Sequence, residues 1–329
     1  MINLVNDLNN FKKNLKKSNI TKKYQNQFIP IYEPNNLDLK DPKVKNDIYN
    51  QFFNESGLLI VKNAYTKNIM KQYNFWCRRI LNVVENNKNF TLPKQKKNLL
   101  INNLIERMVE NNSNLLIELL TNKIFTQFID ILLGFGCIGS CTGHWNEPGC
   151  DRQLSHVDYP INVGSAPFWE DSIQKVKNLV TDYQLNHILP FCSVQVLIAG
   201  DDMGYFNGSI EVIPFSHKLK DIDLLIQDPN VASSLNQLFI NVKLEQGDLL
   251  IFNRRLCHRE GKNISNFRIN TLSIQCIWLW GIGQEKINYK NIMRYLEQSK
   301  EYQSLSEPEK ENLKMRLKQP YPIDVTKNT

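Results

Sequence analysis

Two short segments about a hundred residues apart constrain this chain more than any other feature. One is His156, Val157 and Asp158; the other is His258, inside residues 252–261 (FNRRLCHREG), with Arg268 ten residues beyond it. In an extended strand, residues i and i+2 point to the same face, so His156 and Asp158 can aim an imidazole and a carboxylate at one point. For His258 to reach that point, the fold must bring a distant strand alongside theirs. Two imidazoles and one carboxylate on one side of an ion, with the remaining positions open, is the arrangement of non-haem Fe(II) oxygenases. Arg268 adds a planar fork suited to the distal carboxylate of a bound oxo-acid.

The surroundings favour this reading over a set of unrelated packed residues. Residues 151–160 (DRQLSHVDYP) form a short extended run stopped by Pro160, which suits a ligand pair at a strand mouth. Residues 242–252 read as two strands hinged at Gly247 and Asp248, the second leading directly to His258. Residues 268–278 (RINTLSIQCIW) are a further β-rich run, with Arg268, Asn270 and Leu272 on one face. His217 competes for the place of third ligand, but it follows a strand at 208–214 and falls in the turn after it, so it reads as loop-stabilising. His144 sits beside Trp145 on a strand and reads as a packed histidine that could line the pocket. His187 reads as structural.

Helices are expected at about 45–55, 66–86, 98–122 and 124–133, the last stopped by Gly134 and Gly136. Strands dominate from 137 to 281, interrupted by a helix at about 170–180 and a helical insertion at 219–238. That insertion is where substrate-shaping elements are expected, because loops at the mouth of a rigid scaffold carry specificity. The tail, 284–318, reads as two helices separated near 304–308. The domain reading is a polar, lysine-rich extension at 1–44 followed by one domain at 45–329.

Seven cysteines, an odd number without Cys-x-x-Cys spacing, argue against a disulfide framework and against a structural zinc site. A cluster of Cys137, Cys141 and Cys150 with His144 is too irregular to displace that reading. Of the net charge of +7, residues 1–25 supply +5, from six lysines against one aspartate. The remainder is near neutral, which argues against a nucleic-acid-binding face on the core. Leu4, Leu8, Phe11 and Leu15 recur at helical spacing, predicting an amphipathic helix with a basic back. No apolar run reaches the length of a membrane span. The start lacks the apolar core of a signal peptide, so an intracellular, cytoplasmic location is expected.

Residues 207–218 (NGSIEVIPFSHK) resemble the signature loop of the phytanoyl-CoA dioxygenase-like family. Residues 247–252 (GDLLIF), His258 and Arg268 follow in that family's order, and 52–63 (FFNESGLLIVKN) resemble its opening helix and first strand. The resemblance spans roughly residues 45 to 280. It implies a mainly β fold, a double-stranded β-helix (jelly-roll, cupin-like) core at about 137–281, buttressed by N-terminal and C-terminal helices. It also implies Fe(II), 2-oxoglutarate and O2, with His156, Asp158 and His258 as metal ligands and Arg268 on the 2-oxoglutarate C5 carboxylate.

Asn270 stands where many relatives carry Ser or Thr, and its amide can still donate to a carboxylate. Gln195 and Gln153 are further cosubstrate candidates, and Tyr159, Trp145 and Trp169 are candidates for an aromatic substrate wall. Halogenating relatives place a small residue where this chain has Asp158, so hydroxylation of a small-molecule or lipid-like substrate is expected. A demethylase of nucleic acid or protein is the alternative on the same core, but the second arginine of the alkylation-repair type is absent, position 274 being Ile. A prolyl-hydroxylase type would anchor the oxo-acid with lysine. A metal-free jelly-roll binding module would not need all four site residues, and all four are present.

Overall fold

The structure, a computed structural model, describes residues 29–85, 98–101, 103–158, 163–164, 193–219, 222–227, 233–278 and 288–318. The chain runs through β1 (Ile31–Tyr32), α1 (Pro42–Phe53), β2 (Leu58–Val61), α2 (Lys67–Glu85) and β3 (Asn98–Ile101). Three helices follow: α3 (Leu104–Asn111), α4 (Ser113–Leu120) and α5 (Lys123–Leu133). The β-rich part comprises β4 (Gly136–Asn146), β5 (His156–Val157), β6 (Val163–Gly164), β7 (Ser193–Ala199) and β8 (Ile210–Val212). After α6 (Ile222–Gln227) come β9 (Ile240–Asn241), β10 (Leu249–Asn253), β11 (His258–Glu260) and β12 (Ile269–Trp278). The tail holds α7 (Tyr289–Leu296), α8 (Lys300–Ser304) and α9 (Glu307–Leu317).

These strands form two sheets. The larger has the order β1-β2-β10-β7-β12-β4-β3 and the smaller β6-β5-β11-β8-β9. From β4 onward the chain alternates between them, with β4, β7, β10 and β12 in the larger sheet and β5, β8, β9 and β11 in the smaller. Their neighbours, β10-β7-β12-β4 facing β5-β11-β8-β9, are those of a jelly roll. β1, β2 and β3 widen the larger sheet.

Polar residues set the helix boundaries. Asp41 caps α1 through its side chain, with Pro42 in the first turn. The single helix expected at 98–122 is instead a strand and two helices. β3 pairs with β4, Asn103 is left-handed (φ 53°), and Asn112 caps α4 by accepting from the Leu115 N–H at 3.3 Å. Asparagine competes for backbone hydrogen bonds and tolerates the left-handed region, so it interrupts helices that apolar spacing alone would run together. The tail breaks before the Ser306 and Glu309 capping box, as expected, and once more at Ser299, which caps α8. The helix expected at 170–180 lies outside the described residues. In the insertion at 219–238, α6 packs Ile222, Leu225 and Ile226 under Val157 and Ile213, behind the His156 strand.

Strand alternation gives the larger sheet two unlike faces. On the outside, Val194, Val196, Ile198, Leu272, Ile274 and Cys276 pack with helix residues such as Phe52, Met70, Leu104 and Phe128. Burying each large apolar side chain there contributes about 1.5–3 kcal/mol. On the inside, Leu250, Phe252, Ala199 and Ile269 join Ile210, Val212 and Ile240 of the smaller sheet. The rest of the inner face, towards β4, is polar: Thr142 and His144 on β4, Thr271, Ser273 and Gln275 on β12, Ser193 and Gln195 on β7. Among the described residues, no helix is long and apolar enough to cross a membrane.

Candidate metal centre

β5 and β11 are antiparallel neighbours in register, with His156 directly opposite His258. Two residues facing each other across a ladder point to the same side, so both imidazoles face the interior, their ring centroids 4.3 Å apart. Asp158, one residue past β5, closes the group. Its Oδ1 lies 3.7 Å from His156 Nε2 and its Oδ2 3.6 Å from His258 Nε2. The three ligand atoms all fall within 4.8 Å of one another, and no other such group occurs among the described residues. In particular, Cys141 packs against the helices whereas His144, three residues on, faces the interior.

The tautomers follow from the second nitrogen of each ring. His156 Nδ1 lies 3.0 Å from the Leu154 carbonyl oxygen, and His258 Nδ1 lies 2.9 Å from that of Leu256. A carbonyl can only accept, so each Nδ1 carries the proton and each Nε2 turns a lone pair inward. Burial, with His156 and Arg254 close by, pushes His258 down to about 4, keeping it neutral and able to bind a metal. For Asp158, burial works upward, but the neighbouring His258 and His156 imidazoles and the Arg254 guanidinium outweigh it and hold the carboxyl below its usual range. Phe252 packs edge-on against His258, with centroids 4.8 Å apart.

This donor set fits a divalent ion. Cis donors about 2.1 Å from one ion lie about 3 Å apart, so the observed 3.6 and 3.7 Å need only a small contraction.

The remaining candidates divide by strand face. Arg268 lies just before β12, half-buried, its Nε in ion-pair contact with Glu147 just past the end of β4. Since Thr271 pairs with His144, this pair lies three residues, about 10 Å, further along the barrel than His144. Gln195 is on the inner face and donates to Ser273 Oγ at 2.6 Å. Gln153 is exposed and engaged with the Glu260 backbone, accepting its N–H at 3.0 Å.

Two expectations are corrected. Asn270 faces the helices: its backbone and side-chain amides both donate to Asp201, so it does not share the interior with the metal group. Trp145 is 2% exposed in the helix-packed core, on the opposite side of β4 from His144, and lines no pocket wall with the ligands. Tyr159 and Trp169 lie outside the described residues. His217 sits in the turn after β8, with Nε2 on the Phe53 carbonyl oxygen and its ring so close against Gly57 that it leaves no space for a Cβ there; the left-handed φ of 81° at Gly57 favours glycine independently.

Sequence reasoning undervalued His144. It faces inward, 3.0 Å from Glu260, which is two residues from His258 on the same strand face. The signal was present in β4, where Thr142, His144 and Asn146 alternate with Cys141, Gly143 and Trp145.

The sequence model described as phytanoyl-CoA dioxygenase (PhyH) matches residues 53–269. Among solved structures, the chain resembles the non-heme alpha ketoglutarate dependent epimerase SnoN from nogalamycin biosynthesis. The TM-score is 0.51 at 14% identity, covering 73% of this chain and 85% of that one. SnoN has also been solved in complex with Fe3+, alpha ketoglutarate and nogalamycin RO. The carbocyclase SnoK from nogalamycin biosynthesis matches with a TM-score of 0.51 at 14% identity, over 79% of this chain and 91% of that one. At these identities the likeness shows a shared fold. No curated protein sequence matches the chain.

Proposed function

Since this chain belongs to the phytanoyl-CoA dioxygenase family, whose members use Fe(II), 2-oxoglutarate and O2, we propose that it hydroxylates a small-molecule or lipid-like substrate. His156, Asp158 and His258 would hold the ion, and Arg268 would pair with the far carboxylate of the oxo-acid. When bound, the ion and the oxo-acid supply dioxygen activation and the oxidising power to attack a C–H bond, with succinate and CO2 as co-products.

The protein's own contributions are orientation and charge. The Leu154 and Leu256 carbonyls hold both imidazoles in the ligating tautomer before any ion arrives. The Asp158 carboxylate offsets one positive charge of the ion, and its presence favours hydroxylation over halide transfer. Arg268 sets how far into the barrel a five-carbon dicarboxylate can reach, and Glu147 already shares that guanidinium, so the incoming carboxylate must accommodate or displace it. The polar inner residues Thr271, Ser273 and Gln195 suit a charged cosubstrate better than an acyl chain.

The observation that carries this reading is the convergence of three ligand atoms from two strands, with both histidine tautomers fixed. Anaerobic titration of the metal-depleted protein with Fe(II) and 2-oxoglutarate tests it. A visible metal-to-ligand charge-transfer band is the expected result. Its absence under reducing, metal-replete conditions would sink the assignment.

A further inference from the structure

The turn joining β10 to β11 places a second arginine inside the barrel. Arg254, four residues before His258, is 1% exposed. Its Nη2 donates to the Asp158 main-chain oxygen at 2.8 Å, and the Asp158 N–H donates to the Arg254 main-chain oxygen, also at 2.8 Å. Residues 158 and 254 therefore exchange two hydrogen bonds, one through the backbone and one through the guanidinium. Nη1 makes a longer contact, 3.5 Å, to Ser193 Oγ at the start of β7, and Gln275 Nε2 approaches the same hydroxyl at 3.4 Å.

Asp158 needs such a hold. Val157 is tied to β6 and His156 to both β6 and β11, but Asp158 lies one residue past the end of β5. The turn it is tied to is itself fixed. Asn253 donates its N–H to the Gly57 carbonyl, and its own side-chain and main-chain oxygens accept from the N–H groups of Arg255 and Leu256. The same turn delivers His258, so one rigid corner sets the positions of two of the three ligands.

We infer that Arg254 is a positioning residue of the metal centre: it locks Asp158 against the turn that carries His258 and thereby sets metal affinity. This rests on reading His156, Asp158 and His258 as the metal ligands. Two effects of the guanidinium oppose each other. Its hydrogen bonds pre-form the ligand set, which favours the ion, while its positive charge beside Asp158 and His258 repels the ion. The two predict opposite signs when the side chain is replaced, and that makes the inference decidable. Support from groups beyond the ligands is commonly worth 10–100-fold in metal affinity.

Co(II) binding, followed by its visible d–d spectrum, serves as the readout, with the Tm of each metal-free protein measured in parallel. Arg254→Met is expected to bind Co(II) about 10–100-fold more weakly than wild type, with an altered band shape. Arg254→Lys, which keeps the repelling charge and loses the fork, should also bind Co(II) measurably more weakly than wild type. Wild-type or tighter Co(II) binding by folded Arg254→Met would overturn the inference and leave only an electrostatic role. If Arg254→Met does not fold, Arg254→Lys decides, and an unchanged affinity and spectrum in that variant overturns it equally. Failure of the wild-type protein to bind Co(II) at all would instead count against the metal site itself.

Discussion

The two faces of the larger sheet are made by the same strands and do different work. Outward-pointing Val194, Val196, Ile198, Leu272, Ile274 and Cys276 pack under the helices. Inward-pointing Ser193, Gln195, Thr271, Ser273 and Gln275 are polar and face the metal group across the barrel. Neighbouring residues thus belong to different environments, one governed by apolar burial and the other by the cost of leaving polar groups without partners. Stability and chemistry are separated by residue parity, and substitutions one position apart should have unlike consequences.

The sharpest contrast pairs a ligand with an outward core residue. Asp158→Ala should reduce succinate formation by about a thousandfold or more while leaving the metal-free Tm near wild type, because it removes the only carboxylate of the triad. Ile274→Ala, at a fully buried position, should cost about 2–5 kcal/mol of stability and leave activity per folded molecule unchanged. Chemical denaturation and stopped assays of succinate on both variants check this, and matching losses of stability and activity in both would break the comparison.

A finer test uses Arg268 and Asn270. Arg268→Ala should raise the 2-oxoglutarate requirement by about 10–100-fold, in line with the loss of a charge-assisted fork. Asn270→Ala should leave that requirement alone and instead cost about 1–3 kcal/mol, because it takes a donor from half-buried Asp201 and empties a buried position. A changed 2-oxoglutarate dependence in Asn270→Ala would return this residue to the cosubstrate site.

The smallest expected effect concerns His217, in the turn after β8 and outside the metal group. Burial pushes its pKa down to about 4 from 6.5, so the unfolded chain takes up a proton first as the pH falls. Its neutral, buried form therefore contributes stability that is complete above about 6.5 and lost progressively towards about 4. His217→Ala should bind Fe(II) normally and show a shallower fall in denaturation midpoint between pH 7 and 4.5 than wild type.

Much of this was legible in one dimension. The His-x-Asp spacing, the approach to His258 through residues 247–252 and the long helices at 66–86 and 124–133 are local patterns, and local geometry preserved them. The misread stretch at 98–122 failed because apolar spacing continues through Asn103 and Asn112, where the asparagines stop the helix by bonding to or bending the backbone. Counting by twos places Asn270 and Leu272 on one face, and they do share it, but only the packing of β12 shows that this face lies under the helices and not towards the metal group.

The sequence alone determined which donor atoms are available, because ligand chemistry belongs to the side chain and i, i+2 spacing belongs to any strand. It also identified the kind of fold through motifs whose order along the chain is preserved. Only the tertiary structure decided that His144 faces Glu260 inside the barrel, that Trp145 and Asn270 face the helices, and that Arg254 is tied to Asp158 across 96 residues of chain. The reason is register. A strand shifted by a single residue turns every side chain to the opposite face, and what fixes the shift is pairing with strands far away in sequence.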